Sequence, residues 1–147
     1  MDVVVGVDGS PESVQALGWA CGRAQTCGDE VRAVAVWSLA ASGEDWMLTP
    51  DAKALGQRRA ERTLQEAADA VRRDQPAAEI VTLAVEGHAA NVLVDMSAQA
   101  DMLVIGSRGL GGFTGLLLGS VSQQCVHHAH CPVTVIKQPA RDGDSGT

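Results

Sequence analysis

Tyrosine is absent from this chain of 147 residues, and phenylalanine occurs once, as Phe113. Sites that bind single-stranded nucleic acid stack successive bases on aromatic side chains, and with so few aromatics such a stacking platform is lacking. Positive charge is scarce as well: 11 Lys and Arg stand against 18 Asp and Glu, a formal net charge of −7. An acidic surface repels phosphate backbones and anionic headgroups, which argues against nucleic acid and membranes as partners. Although 46% of the residues are hydrophobic, no apolar run approaches the length of a membrane span. The chain opens on Val3-Val4-Val5 without the basic and apolar regions of a secretion signal, and a cytoplasmic location is the expectation. Its 4 cysteines, Cys21, Cys27, Cys125 and Cys131, lack the density and pattern of a disulfide framework.

What the chain does have is glycine, concentrated in one stretch. Met102 to Ile105 is a continuous apolar run, the pattern of a buried parallel strand. Gly106 ends it, and Gly109, Gly111, Gly112, Gly115 and Gly119 follow. Ser120 then reads as the N-cap of a helix continuing through Val121 to about Ala129. Strand, glycine loop and helix start make an anion site, because unpaired backbone N–H groups and the positive end of the helix dipole converge there. On so acidic a chain, a nucleotide must be held by such local donors rather than by a basic field.

Two familiar phosphate motifs do not fit. A Walker loop needs a lysine before its Ser or Thr, but Leu118 precedes Gly119. A dinucleotide fingerprint needs its third glycine three residues after the second, where Thr114 stands. The spacing that fits is Gly106-x2-Gly109-x9-Gly119-Ser120. It resembles the ATP-binding signature of the universal stress protein family. Two further stretches agree, Val3-Val-Val-Gly-Val-Asp-Gly-Ser10 and Cys131-Pro-Val-Thr-Val-Ile136, so the resemblance covers roughly residues 1–137.

Read in order, Val3 to Val7 is a first strand, and Ser10 caps a helix with Pro11 in its first turn and Glu12 near the positive dipole end. Val14, Leu17, Cys21 and Ala24 form its inner face, and Gly28 ends it. Cys21 is read as a core residue. Val31 to Trp37 is a second strand, followed by a long connection, Ser38 to Pro50, that carries Trp46. Trp37 and Trp46 suit either a pocket wall or burial against the next helix. Asp51 to Asp74 is the longest helix, with Leu55, Ala60, Leu64, Ala67 and Val71 inward and its arginines, interspersed with acids, on a solvated face. Ile80 to Val85 is a third strand, His88 a turn or cap residue, and Val92, Leu93 and Met96 mark a third helix. Val133 to Ile136 is the last strand. The segment from Cys125 through His127, His128 and His130 to Cys131 offers metal ligands, but the helix end and Pro132 make a mixed surface the better account.

Strands alternating with helices give an α/β fold: a three-layer, doubly wound parallel sheet with helices on both faces. Residues 1–138 read as one domain and residues 139–147 as a disordered tail. Physical rules leave several strand orders open; the family resemblance implies 3-2-1-4-5, a five-stranded sheet. That order puts the topological switch between the strands ending at Asp8 and Gly106, where ligands bind in open α/β sheets.

The resemblance also implies a ligand, ATP with magnesium. It places contacts at Gly6, Val7 and Asp8 after the first strand, with Asp8 near the adenosine or the metal. Val36 would meet adenine through its backbone. Ile105, Gly106, Ser107, Arg108, Gly109, Gly111 and Gly112 would form the near side of the loop, and Gly119, Ser120 and Val121 would take phosphate. Arg108 is the one cation in the loop and suits either phosphate or solvent. No lysine, second acid or glutamine is assigned near the phosphates, so binding without efficient hydrolysis is expected. Alanine at Gly106 or Gly119 is expected to abolish binding and spare the fold. The leading function is a nucleotide-dependent regulatory module with an unidentified protein partner. The alternatives are a small ATP-hydrolysing enzyme and an interaction subunit with an empty loop. The last strand, at residues 133–137, would be an uncovered sheet edge, and a homodimer through it is expected.

Overall fold

The computed structural model describes residues 1–38, 50–108 and 118–137. Trp46, Phe113, Gly109, Gly111, Gly112, Gly115 and the tail expected at residues 139–147 lie outside them. The elements alternate: β1 (Asp2–Gly6), α1 (Pro11–Cys27), β2 (Glu30–Trp37), α2 (Pro50–Asp74), β3 (Ile80–Glu86), α3 (Ala89–Ser97), β4 (Met102–Gly106), α4 (Ser120–His128) and β5 (Val133–Ile136). The strands form one sheet in the order β3-β2-β1-β4-β5, with every neighbouring pair parallel.

Period-two alternation of the strands divides the core into two layers. Val3, Val5, Val31, Ala33 and Val104 point to one face and pack with Ala16, Leu17, Cys21, Leu64 and Val71 of α1 and α2. Val4, Val34, Leu103 and Ile105 point to the other, against Leu93 of α3 and Cys125 of α4. The central strands are therefore apolar on both faces, as parallel strands between helix layers must be.

Local signals fix the helix ends. Ser10 accepts the Ser13 N–H at 3.2 Å, and Gly28 closes α1 in the left-handed region at φ 77°, which glycine adopts without a Cβ penalty. Several readings need correction. β1 ends at Gly6, although the Val7 N–H still reaches Val34 O at 2.8 Å. Leu55 is not on the inner face of α2 but 43% exposed, and the buried positions are Ala60, Leu64, Ala67, Ala68 and Val71. The stripe begins a turn later because Gly56, not Leu55, faces the sheet. Ser120 is the first helical residue of α4; the N-cap is Gly119, in extended conformation at φ −73°. His88 occupies the N-cap position of α3 without a side-chain bond. Four arginines of α2, Arg58, Arg59, Arg62 and Arg73, are exposed; Arg72 is half-buried and donates to Ala78 O.

At the outer strand β5, backbone direction follows from two bonds: Leu103 N–H to Pro132 O at 3.0 Å and Ser107 N–H to Ile136 O at 2.9 Å. Even-numbered residues therefore direct their backbone groups to β4, and Val133 and Val135 direct theirs away from the sheet.

Trp37 lies against α2. A Cβ built on Gly56 would stand 2.5 Å from its Cε3, and its Nε1–H donates to Gln57 Oε1 at 2.8 Å. Burial against the next helix is thus the outcome for this tryptophan. Gly56→Ala should lower stability by about 1 kcal/mol, overpacking outweighing the better helix propensity of alanine. A thermal melt read by indole fluorescence checks this; an unchanged or higher Tm would show that the ring moves aside.

Candidate functional site

Val5 pairs with Val104 in the central register. From that pair the chain leaves β1 for α1 on one face of the sheet and leaves β4 for α4 on the other. The carboxyl ends of β1 and β4 consequently open into a crevice, at Gly6 and Gly106.

The β1–α1 turn is closed by short polar side chains. Asp8 Oδ1 accepts the Ser10 N–H at 2.9 Å, and the Asp8 N–H donates to Ser13 Oγ at 3.3 Å. Ser13 Oγ donates in turn to Ser10 O at 2.9 Å. These bonds hold the exposed Asp8 at the mouth of the crevice. Gly6 lies deeper, where a Cβ would meet Leu93 Cδ1 at 3.0 Å. Val7 and Ile105, 4% and 3% exposed, are core residues of opposite layers.

The root of the glycine loop is pinned from both sides. Gly119 N–H donates to Ser107 O at 2.6 Å, and Ser122 Oγ donates to Gly106 O at 2.6 Å. The two ends of the loop are thus joined, and the first turn of α4 sits beside the end of β4. Gln123 N–H to Gly119 O at 2.9 Å is the first bond within this helix, so the N–H groups of Ser120 and Val121 precede its ladder, at the positive dipole end. The N–H of Gly119 itself is engaged by Ser107 O.

Glu12 joins the site from the first turn of α1. Its carboxylate is buried, and Oε2 accepts from Ser107 Oγ at 2.6 Å and from the Arg108 N–H at 2.9 Å. Arg108 Nη2 stands 3.3 Å from Oε1. An acid therefore stands at the root of the loop, and Arg108 faces a carboxylate rather than only solvent. Pro11-Glu12 signalled a helix start; nothing local signals a partner 95 residues away.

Val36 is half-buried on the layer facing α3 and α4. Val34 O faces β1, accepting from Val7, and Trp37 O faces β3, accepting from Gly87. By alternation the backbone of Val36 points to the β1 side, beyond the last β1–β2 bond. A strip of backbone is thereby directed into the same crevice.

The cysteines stand apart from this chemistry. Burial pushes the thiols of Cys21 and Cys125 up to about 11 and raises that of Cys131, which disfavours the thiolate needed for nucleophilic attack or metal binding. Among the described residues, no three His, Cys, Asp or Glu side chains converge on a metal position. Nor, among them, is any helix long and apolar enough to cross a membrane.

A doubly wound parallel sheet with a glycine loop and a helix start at its switch point defines the class. The chain belongs to the universal stress protein family, whose sequence model matches residues 1–137. It is 39% identical over 140 residues to a universal stress protein of Mycobacterium tuberculosis, covering 92% of this chain and 45% of that one. A second from the same species is 33% identical over 144 residues, covering 95% and 51%. The chain thus spans about half the length of these relatives. Among solved structures, a universal stress protein of Archaeoglobus fulgidus in complex with dAMP is 28% identical with TM-score 0.65, covering 93% of this chain and 98% of that one. A universal stress protein in complex with cAMP is 26% identical with TM-score 0.66, covering 92% and 95%.

Gly106 lies against the first turn of α1. A Cβ there would stand 2.9 Å from Glu12 Cβ, 3.1 Å from Glu12 C and 3.3 Å from Ser13 N. The obstacle is the first turn of α1 itself. Gly106→Ala should cost about 1–3 kcal/mol of stability in the absence of any nucleotide. Urea denaturation measures it; an unaltered midpoint would return Gly106 to a purely ligand-directed role.

Proposed function

We propose that this chain is an adenine-nucleotide-binding regulatory module whose ligand is ATP, accompanied by magnesium. The observation that carries the proposal is the pinned loop root. It holds the first turn of α4, with the N–H groups of Ser120 and Val121, at the end of β4, where phosphate complements the helix dipole. The backbone of Val36 is directed into the same crevice and suits an adenine edge. Asp8, held at the mouth by its turn, suits a magnesium ion that supplies charge compensation to the phosphates. The remaining loop contacts in this reading are Gly109, Gly111 and Gly112. The dAMP and cAMP complexes of two relatives support an adenine nucleotide as the ligand class.

Turnover is slow in this reading. Phosphoryl transfer to water needs an oriented water and a cation on the transferring group. Asp8 and Glu12 already accept hydrogen bonds from the chain, and Arg108 is paired. The nucleotide acts as a signal: occupancy changes the surface at the site, and a protein partner or second copy reads it.

The second copy is proposed to pair through β5. The outward backbone groups of Val133 and Val135 offer an antiparallel partner a closed, isologous contact about a two-fold axis. Val135→Pro removes an outward donor and should convert dimer to monomer in sedimentation, with the fold kept. Thr134→Pro should unfold the edge instead, since its N–H faces β4. A wild type that sediments as a monomer at every concentration would remove this interface.

Mass spectrometry of ligand released from the purified protein tests the nucleotide directly, with ATP or ADP expected. Gly119→Ala, compatible with the extended backbone there, should weaken ATP about tenfold by crowding the phosphate, the scale of one charge-assisted hydrogen bond. No released nucleotide and no ATP titration at millimolar concentration would favour an interaction subunit. Multiple turnover at a rate above about 1 per second would favour an enzyme.

A further inference from the structure

The root of the loop already contains an anion. Glu12 is 5% exposed at its side chain and takes three donors: the Ser107 hydroxyl, the Arg108 N–H and the Arg108 guanidinium. It sits in the first turn of α1, so the dipole of that helix adds to the field that holds it. Arg108 is 32% exposed and so keeps a face open to solvent. The residue before it, Ser107, accepts the Gly119 N–H at 2.6 Å. Arg108 therefore leaves the sheet at the point where α4 begins.

We infer that Glu12 is a built-in competitor of nucleotide phosphate for Arg108, and that it sets how strongly the site prefers a triphosphate to a monophosphate. The inference rests on the nucleotide reading above. A phosphate chain on the first turn of α4 extends toward a guanidinium whose charge is already offset by a carboxylate. Each added phosphate gains little from such a neutral pair. When the carboxylate charge is removed, the guanidinium turns to the phosphates, and the gain rises with the number of phosphates within its reach.

Glu12 also braces the loop root, and losing that brace would weaken every nucleotide alike. The ratio of ATP to AMP affinity separates the two effects, because a purely structural role leaves it unchanged. Calorimetric titration of ATP and of AMP at one ionic strength, with wild type, Glu12→Gln, Arg108→Ala and the double variant, supplies the test. Glu12→Gln should raise the ATP:AMP affinity ratio about fivefold, between an exposed ion pair and a charge-assisted hydrogen bond. Arg108→Ala alone should move the ratio less than about twofold, and the double variant should show no rise, a non-additive cycle.

A ratio unchanged or lowered by Glu12→Gln overturns the inference, as does a rise that survives removal of Arg108. If Glu12→Gln does not fold, Arg108→Ala in the wild-type background still decides: a larger loss of ATP preference means that Arg108 already serves phosphate. If neither wild type nor Glu12→Gln binds either nucleotide, the nucleotide reading fails first and this inference falls with it.

Discussion

The arrangement depends on one close approach. At Gly106 the end of β4 meets the first turn of α1 with no room for a methyl group. Because the two backbones touch there, Glu12 reaches Ser107 and Arg108, and the two halves of the sheet are tied across the switch point by hydrogen bonds. A bulkier residue would push α1 from the sheet and take the carboxylate with it. The same glycine that reads as loop chemistry in the sequence is, in the fold, a spacer between a strand and a helix.

The crevice follows from parallel topology. Adjacent parallel strands whose following helices go to opposite faces leave a gap above their carboxyl ends, whatever the side chains. What this chain adds is specific polar dressing of that gap. Asp8 closes its own turn, Ser122 and Gly119 bind the loop root, and Glu12 accepts from Ser107 and Arg108. Each of these polar groups has a partner, as buried polar groups must. Among the described residues, no buried side-chain nitrogen or oxygen lacks one.

The family relatives place this chain without stating its role. The Mycobacterium tuberculosis proteins it matches are about twice as long.

Much of the fold was legible in the residues themselves. Two-sided apolar runs such as Val3-Val4-Val5 and Leu103-Val104-Ile105 can only be central parallel strands, and Ser10-Pro11 and Gly28 bound α1 by local capping chemistry. Local signals also erred locally: Ser120 looked like a cap because serines cap helices, but Gly119 already had the extended backbone that position needs. The strand order came from family likeness, since hydrophobic pattern does not distinguish neighbours within a sheet. What only the tertiary structure decided were contacts between residues far apart in the chain. Glu12 with Arg108, Gly106 against α1, Trp37 on Gly56 and the outward face of Val135 are all of this kind. Sequence periodicity reports which side of an element is buried, because burial is set by spacing along one element. It carries no record of which buried side meets which, because that is set by register and packing between elements.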